Sequence, residues 1–433
     1  MTEFVVRPES FGATVYEPAT LSYFFVDTTQ FAQLQTGQHR LLGQGATDDH
    51  SRGTGTKSDI SGGKIARMVT ALAAGAKMTI RVSPEPLPTD TLAAPIRVYF
   101  ELTLRCNARC TYCLNQAGDQ LRQELTTEEV LWTIENFGHD GVFEVRLTGG
   151  EPLLRRDFWL IAHEVRQAGM TLSLNSNLLH GSKTMARLVE LRPNLLITSL
   201  DAAQEPHTRN RGPGYTRIVR NVRLLRAEGV PVRLNCTLSR ATLPYIERFI
   251  DEFAPLGCGF CFILIRPVGR AGEKFDPPPL RELIPVVRQI EAKQHRYPEA
   301  YFSTSFHVVM DREIVIGGIN LTGCNAIQKS FNVNSDGAVS PCAFFYELSP
   351  QDFTLGNIRD ENYSVLRIWR NSALLRTLRR RSSGCNVRCI ACPHFKHDCL
   401  GTCIFMQLYS ERTGRPDPYC LASVQASPQG VST

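Results

Sequence analysis

Residues Arg105–Cys113 read RCNARCTYC, which sets Cys106, Cys110 and Cys113 at C-x3-C-x2-C spacing. The stretch follows directly on an apolar, strand-like run, Arg97–Leu104. Thiolates this close together on one loop are ligands for an iron–sulfur cluster, and a four-iron cluster held wholly by protein takes four of them. A cluster on these three cysteines would keep one iron open to a ligand from outside the protein. The alternative is a zinc knuckle or a chance grouping of cysteines.

From Arg97 onward, strand-like and helix-like segments alternate. Amphipathic helices are predicted between the strands, one of them opening on a capping box at Thr126–Glu129. Six such repeats predict parallel β/α units, and right-handed crossovers would curl them into an open, partial barrel. Ligands of such folds lie at the carboxyl ends of the strands, where the cysteine loop falls. The predicted strands are Arg97–Leu104, Val142–Thr148, Thr171–Asn175, Leu195–Leu200, Val232–Leu238 and Phe260–Pro267.

Other predicted strands also end in polar motifs, at the same edge of the predicted sheet. Thr148–Pro152 reads TGGEP, in which the two glycines allow backbone to approach a ligand and Glu151 can accept hydrogen bonds from an ammonium group. The motifs that end strands three, four and six are Asn175-Ser176-Asn177, Ser199-Leu200-Asp201 and Pro267-Val268-Gly269-Arg270-Ala271. His207 and Arg211 follow the fourth strand, and we interpret His207 as a structural hydrogen-bonding residue.

The C-terminal part is rich in cysteine, with eight between Cys324 and Cys420. Asp336-Gly337 predicts a hairpin turn between two short strands, across which Cys324 and Cys342 could meet. Downstream, the spacing is C-x2-C-x6-C-x3-C, with one more cysteine at a distance. A structural zinc site is the alternative interpretation. The downstream cysteines are Cys389, Cys392, Cys399, Cys403 and Cys420, whereas the scattered Cys236, Cys258 and Cys261 are predicted to be core thiols.

The first 90 residues predict a small α+β module. Three strand-like runs, at Phe4–Val6, Ala13–Tyr16 and Leu21–Val26, precede a polar, glycine-rich loop at Gly43–Gly63. A helix follows, with Ile65, Met68, Val69 and Leu72 on one face. The module is either a peptide-recognition element or an extension packed on the core.

Composition places the chain in a reducing compartment. An excess of 48 Lys and Arg over 42 Asp and Glu gives a net charge of only +6, with no long basic block that would indicate nucleic acid. We find no signal-peptide pattern and no apolar run long enough to span a membrane, so we expect a cytoplasmic protein without a membrane partner. Fourteen cysteines in such a chain favour metal binding over disulfides.

These motifs, taken in order, resemble the radical S-adenosylmethionine (radical SAM) superfamily over about residues 95 to 425. The resemblance implies a [4Fe-4S] cluster on Cys106, Cys110 and Cys113, whose open iron chelates the amino acid end of SAM. Reductive cleavage of SAM would give a 5′-deoxyadenosyl radical that abstracts hydrogen from a substrate. Gly149, Gly150 and Glu151 would hold the methionyl amine. The implied contacts to ribose and carboxylate are Ser199, Arg211 and Asn175, and those to adenine are Tyr112 and the backbone around Gly269.

The C-terminal cysteines resemble the SPASM extension of this superfamily, which holds two auxiliary clusters, expected to be [4Fe-4S]. The first half of its pattern fits because Gly337 stands four residues before Cys342, whereas the second half has x6 in place of x5. By resemblance, Cys389, Cys392, Cys399 and Cys420 would complete one cluster. Cys324, Cys342 and Cys403 would hold the other, with an open iron or with Cys385 or a non-cysteine residue as fourth ligand.

The predicted fold class is therefore α/β, with an N-terminal α+β module (1–90), a partial (β/α)6 radical SAM barrel (91–306) and a SPASM domain (307–433). SPASM relatives mostly modify peptides, so the first hypothesis is a maturase that installs a cross-link or oxidised residue in a precursor peptide, with a reductant such as flavodoxin or ferredoxin. One alternative is a radical SAM enzyme acting on a tetrapyrrole or sugar. Another is a non-catalytic iron–sulfur scaffold or electron carrier, against which the intact Gly149–Glu151 motif counts. No residue is predicted to donate or accept a proton or hydrogen atom.

Overall fold

The computed structural model describes residues 2–38, 60–81, 86–119, 123–272, 276–304, 315–316, 319–320, 324–382, 391–393, 403–420 and 422. Most of the loop predicted at Gly43–Gly63 lies outside the described residues, as do Cys385, Cys389 and Cys399. No helix of the described part of the chain is long and apolar enough to cross a membrane.

The described residues of the N-terminal module form a four-stranded sheet with two helices. Its elements are β1 (Glu3–Glu9), β2 (Gly12–Glu17), β3 (Ser22–Asp27), α1 (Thr28–Gln35), α2 (Ile60–Ala73) and β4 (Lys77–Ile80). The sheet order is β3-β2-β1-β4, with β1 antiparallel to β2 and parallel to β4. The three predicted strands and the helix are confirmed. Ile65 and Met68 of α2 are buried in one cluster with Phe4, Val6 and Val15 because the apolar face of the helix packs on the sheet.

The six predicted β/α strands are confirmed, each to within a few residues. They lie side by side in chain order, all parallel, and β11 adds a further parallel strand at one edge. The elements are β5 (Arg97–Glu101), α3 (Thr127–His139), β6 (Glu144–Thr148), α4 (Phe158–Gln167), β7 (Thr171–Asn175), α5 (Ser182–Leu191), β8 (Leu195–Ser199), α6 (Gln204–Arg211), α7 (Tyr215–Ala227), β9 (Val232–Leu238), α8 (Ile246–Phe253), β10 (Gly259–Leu264), α9 (Leu280–Arg296) and β11 (Phe302–Thr304).

Each of these strands presents one face to the helices and one to the inside of the sheet. Phe100 of β5 packs edge-on against Phe137 of α3, with ring centroids 5.6 Å apart, and Phe249 of α8 packs likewise against Phe260 of β10 at 5.7 Å. Side chains alternate along a strand, so the neighbours of these phenylalanines face the other way. That opposite face, here called the inner face, carries polar residues.

The C-terminal part continues the same sheet, which the sequence analysis did not predict. The two-residue strands β12 (Val315–Ile316) and β13 (Ile319–Asn320) pair with each other. Beyond them, β14 pairs in parallel with β5, and β15 and β16 follow as antiparallel neighbours, so ten strands of the described residues form this sheet. The hairpin turn predicted at Asp336-Gly337 is confirmed between β14 and β15. The elements are α10 (Asn325–Gln328), β14 (Ser330–Val333), β15 (Ala338–Ser340), α11 (Ala343–Leu348), α12 (Pro350–Phe353), β16 (Gly356–Asn357), α13 (Leu366–Asn371), α14 (Ala373–Ser382) and α15 (Ile404–Thr413).

Candidate functional site

The loop after β5 gathers Cys106, Cys110 and Cys113. Two backbone hydrogen bonds close it, from Cys106 N to Gly118 O (3.1 Å) and from Gly118 N to Leu104 O (2.9 Å). Burial raises the pKa of Cys106 to about 11, and the nearby Glu151, Cys110 and Cys113 contribute to this rise. The structure therefore brings the three thiols together beside an acidic group. A cationic metal cluster would stabilise the thiolates in such a place.

The Gly-Gly turn after β6 lies against the backbone of this loop. Gly150 N donates to Thr103 O (2.7 Å) and Glu151 N donates to Arg105 O (2.8 Å). A Cβ added at Gly149, whose φ is +147°, would lie 2.3 Å from Thr103 O, and one at Gly150 would lie 2.4 Å from Arg105 O. Only glycine fits at these two positions, so the turn and the cysteine loop are built as one unit.

Glu151 is fully buried and faces the end of β7. Its carboxylate accepts hydrogen bonds from Asn177 N (2.7 Å), Ser176 Oγ (3.0 Å) and Leu153 N (3.2 Å). His180 Nε2 lies 3.3 Å from the same carboxylate. In this arrangement Glu151 positions the Gly-Gly turn against the third strand end, and its predicted contact with an ammonium group stays a prediction.

Asp201, which follows β8, links two of the predicted SAM contacts. Tyr112 donates its hydroxyl hydrogen to Asp201 Oδ2 (2.6 Å), and Arg211 Nε donates to Asp201 Oδ1 (3.2 Å). The Arg211 guanidinium carbon lies 4.9 Å from the centroid of the Tyr112 ring. Sequence reasoning gave Asp201 no role. The sequence did contain a signal for this contact: Asp201 is an acid that stands ten residues before Arg211, and the helix that carries Arg211 begins at the same strand end.

Asn175 and Ser199 lie at neighbouring strand ends. Asn175 Nδ2 donates to Thr148 Oγ1 (3.2 Å), while its Oδ1 is buried without a hydrogen-bond partner among the described residues. Ser199 stands opposite Asn235 in the sheet, and Asn235 Oδ1 is likewise buried without a partner. Buried acceptors are nearly always satisfied in proteins, so these two fit a ligand that supplies hydrogen-bond donors at the strand ends.

The segment after β10 fastens the cysteine loop from its other side. A Cβ on Gly269, whose φ is +64°, would lie 2.1 Å from Leu114 O. Arg270 N donates to Cys113 O (3.0 Å), and its guanidinium donates to Cys110 O (3.0 Å) and to Ala117 O. Gly269 is expected at this site from its motif, whereas Arg270 has no role that the motif predicts. A guanidinium bound to backbone carbonyls leaves no local pattern in sequence.

Three C-terminal cysteines also come together. Burial raises the pKa of Cys342 to about 12, and Cys403 contributes to this rise. The pKa of Cys324 is also raised, first by burial and then by Cys403 and Cys342. Cys392 and Cys420 are described, but their predicted partners Cys389 and Cys399 are not, so that set stays a prediction. Within the described ranges, no three His, Cys, Asp or Glu side chains are arranged to hold a single metal ion. Cys236 and Cys258 are buried, whereas Cys261 is only partly buried.

Comparison with known proteins identifies two domains. The radical SAM superfamily matches residues 100–253, and an iron–sulfur cluster-binding domain, SPASM, matches residues 324–393. The chain is 26% identical over 339 residues to the mycofactocin maturase MftC of Mycobacterium tuberculosis, covering 76% of this chain and 84% of that protein. It is also 26% identical over 350 residues to the AdoMet-dependent heme synthase of Methanosarcina barkeri, covering 76% of this chain and 97% of that protein.

The fold of the whole chain is similar to a solved structure. SuiB of Streptococcus suis, bound to its precursor peptide SuiA, superposes with a TM-score of 0.70 at 16% identity over 97% of this chain and 100% of SuiB. The two matched domains imply a [4Fe-4S] cluster with SAM in the barrel and auxiliary iron–sulfur clusters in the C-terminal part. The chain is thus an enzyme of the radical SAM superfamily with a C-terminal SPASM domain.

Proposed function

We propose that this enzyme modifies a ribosomally made precursor peptide, removing hydrogen from a peptide carbon and installing a cross-link or an oxidised residue. The observation that carries the proposal is the similarity to the mycofactocin maturase MftC over 76% of this chain. The likeness to SuiB supports it because the shared fold includes the N-terminal module as well as both cluster-binding domains.

The residues fit the cofactors that this activity needs. Cys106, Cys110 and Cys113 would hold the cluster, which supplies the electron for cleaving SAM to the 5′-deoxyadenosyl radical. The backbone of Gly149 and Gly150 would receive the methionyl end of SAM beside the cysteine loop, against which both glycines pack. Hydrogen bonds join Tyr112 and Arg211 to Asp201 beside this position. The buried Oδ1 of Asn175 would accept a hydrogen bond from the ligand. The protein orients the ligand and excludes water.

The N-terminal module (1–90) would bind the leader of the precursor peptide. Within the described residues, β3 pairs with β2 on one side, and no strand pairs with its other edge. An open sheet edge offers backbone donors and acceptors to which an extended peptide can add as a further strand. The barrel (91–306) would then receive the segment to be modified. In the C-terminal domain (307–433), Cys324, Cys342 and Cys403 would hold an auxiliary cluster that relays an electron or contacts the substrate, with flavodoxin or ferredoxin as the external reductant.

The first test removes the cluster ligands. Replacing Cys106, Cys110 and Cys113 together by Ala should abolish formation of 5′-deoxyadenosine by the reduced, iron-loaded protein. Cys258→Ala, at a buried thiol away from the predicted ligands, should leave it intact. Retained SAM cleavage in the triple variant would contradict the assignment. Short open reading frames beside the gene then supply peptides, whose change in mass after incubation with enzyme, SAM and reductant reports the modification.

A second candidate is a radical SAM enzyme that acts on a tetrapyrrole. It is favoured by the similarity to the AdoMet-dependent heme synthase over 97% of that protein. The two candidates differ in what stimulates 5′-deoxyadenosine formation. Stimulation by a tetrapyrrole and by none of the neighbouring peptides would favour the second candidate. SAM cleavage with either substrate excludes a non-catalytic scaffold.

A further inference from the structure

The inner face of the sheet carries charged residues below the SAM site. Arg97 and Tyr99 of β5 and Glu144 and Arg146 of β6 alternate with the buried apolar residues that face the helices. The side chain of Arg146 is only 5% exposed and that of Glu144 is fully buried. Charged groups are rarely placed so deep without a partner.

Their partners within the sheet are few. Glu144 forms an ion pair with Arg97, and it accepts hydrogen bonds from Arg146 Nη2 (3.1 Å) and Ser173 Oγ (2.6 Å). Arg146 Nη1 also donates to the Tyr99 hydroxyl (3.3 Å). One carboxylate therefore serves two guanidinium groups.

Arg233 of β9 adds a third guanidinium. No carboxylate of a described residue forms an ion pair with it, and its Nε is buried without a hydrogen-bond partner, as are the Nε atoms of Arg97 and Arg146. Burial raises the pKa of Tyr99, yet Arg146, Arg97 and Arg233 together lower it below its usual value. Four strand spacings separate β5 from β9, which is about 19 Å in a flat sheet. The sheet must therefore curl, so that Arg233 of β9 approaches Tyr99 of β5 across the inside of the partial barrel.

The other charges on the inner face are already engaged. Glu101, on the same face of β5 nearer the strand end, accepts hydrogen bonds from Ser335 N (3.2 Å) and Ser335 Oγ (2.8 Å), and another from Asn115. Asp201 is held by Tyr112 and Arg211. Deeper inside, the guanidinium groups of Arg97 and Arg146 share the carboxylate of Glu144, and Arg233 has no carboxylate partner among the described residues. Within the described part of the chain, these three positive charges therefore have one counter-ion between them, which favours the binding of an anion.

The cluster and the strand-end residues of the SAM site share the inner face of the sheet. Arg233 precedes Asn235 by two residues, and Asn235 stands opposite Ser199, the last residue of β8. Two residues along a strand span about 7 Å, which is within the reach of an acidic side chain entering from that end. A planar guanidinium binds a carboxylate through two parallel hydrogen bonds.

We propose that Arg233, with Arg97 and Arg146, binds a carboxylate of the peptide substrate, either an acidic side chain or the C-terminus, next to the carbon that loses hydrogen. This inference rests on the proposed function and names its substrate class: a peptide with a carboxylate at or beside the modified residue. Arg233 is then a specificity-determining residue that holds this carboxylate at a fixed depth below the SAM site.

Binding of glutarate, a small dicarboxylate probe, tests the site directly. The iron-loaded, SAM-bound enzyme should bind glutarate in preference to its uncharged analogue glutaramide, as measured by calorimetry. Arg233→Gln should weaken glutarate binding by at least about tenfold, whereas Arg233→Lys, which keeps the charge, should weaken it less. The matched control is Arg223→Gln, at a half-exposed arginine paired with Glu252. It should leave glutarate binding unchanged.

Equal binding of glutarate to wild type and Arg233→Gln would overturn the proposal, as would the absence of any preference over glutaramide. If the glutamine variant loses its fold, the lysine variant and the preference of the wild type still decide. Substituting each acidic residue of a modified peptide by its amide, and amidating its C-terminus, shows which carboxylate binds. Glutarate binding at Arg233 in an enzyme that modifies no peptide would uphold the carboxylate site and reject the proposed function. Peptide modification by an enzyme that does not bind glutarate would uphold the proposed function and reject the carboxylate site.

Discussion

At Gly150, the addition of a single methyl group is enough to separate the Gly-Gly turn from the cysteine loop. A Cβ there would lie 2.4 Å from Arg105 O and 2.8 Å from Leu104 O, which are backbone atoms that cannot rotate away. Gly150→Ala should therefore push the turn off the cysteine loop, at a cost of about 1–3 kcal/mol, and weaken SAM binding. SAM affinity and iron content, measured on the reconstituted protein, check this. Gly181→Ala is the control, because no heavy atom lies within 4 Å of a Cβ added there. Equal SAM affinity in both variants would contradict the prediction.

His207 makes stability depend on pH. Burial and then the nearby Arg211 lower its pKa to about 4, and its Nδ1 accepts a hydrogen bond from Asp201 N (3.3 Å). The folded protein holds this histidine neutral, while the unfolded chain binds a proton near pH 6.5, so stability is lost as the pH falls below that value. The loss between pH 7.5 and 5.5 should be about 1 kcal/mol. Urea unfolding at the two pH values measures it, and His207→Asn, which can keep the acceptor, should remove this part of the pH dependence. An unchanged pH dependence in that variant would show that other groups cause it.

The strand-end residues that the structure brings together at the candidate site were predicted from their motifs, whereas residues that act only through contacts made in the fold were not. Cys106 and Gly149 stand in patterns whose spacing carries the chemistry. Asp201 and Arg270 were part of quoted motifs, but their roles depend on atoms of Tyr112, Cys110 and Cys113. Only the folded chain brings those atoms within hydrogen-bond distance.

At the scale of elements, the segment after β10 and the cysteine loop after β5 depend on one side chain. The guanidinium of Arg270 spans the carbonyls of Cys110 and Ala117. Arg270→Met removes these bonds while keeping much of the apolar stem, and it should loosen the loop so that less iron is retained at the SAM site. The change in the electron paramagnetic resonance signal on adding SAM reports this cluster selectively, and it should shrink. Arg240→Met, at an exposed arginine paired with Asp276, should leave the signal unchanged. A full SAM-dependent signal in Arg270→Met would contradict the prediction.

The prediction of the elements succeeded where the pattern is local. Period-two and period-3.6 patterns, with the capping box at Thr126, located the six strands and their helices. The addition of β14 beside β5 was not predictable, because it pairs residues more than two hundred positions apart. The sequence of Ser330–Val333 contains no pattern that predicts which strand it pairs with. The cysteine group at Cys324 and Cys342 is thereby attached to the same sheet as the SAM site.

At the scale of the whole molecule, the N-terminal module is fastened to the barrel by buried polar contacts. Arg7 donates to Ala94 O (2.8 Å), Gly141 O (2.9 Å) and Pro95 O (3.2 Å), and the Tyr16 hydroxyl lies 2.7 Å from Thr171 Oγ1. Removing the module would expose this surface and leave those carbonyls without donors. Point substitutions therefore separate docking from peptide recognition better than a deletion does.

Arg7→Met tests this docking. The change leaves three buried carbonyls and the buried Glu9 without their guanidinium, so it should destabilise the module by about 3 kcal/mol while sparing the SAM site. Hydrogen exchange should rise in β1 and β2 but not in β6 and β7, and peptide-independent SAM cleavage should be retained. Arg67→Met, at a half-exposed arginine of the same module, should change neither measurement. If exchange instead rises across the barrel strands, the module is part of the barrel core. In that case leader binding and catalysis would be coupled through Arg7 and could not be separated by substitutions in the module.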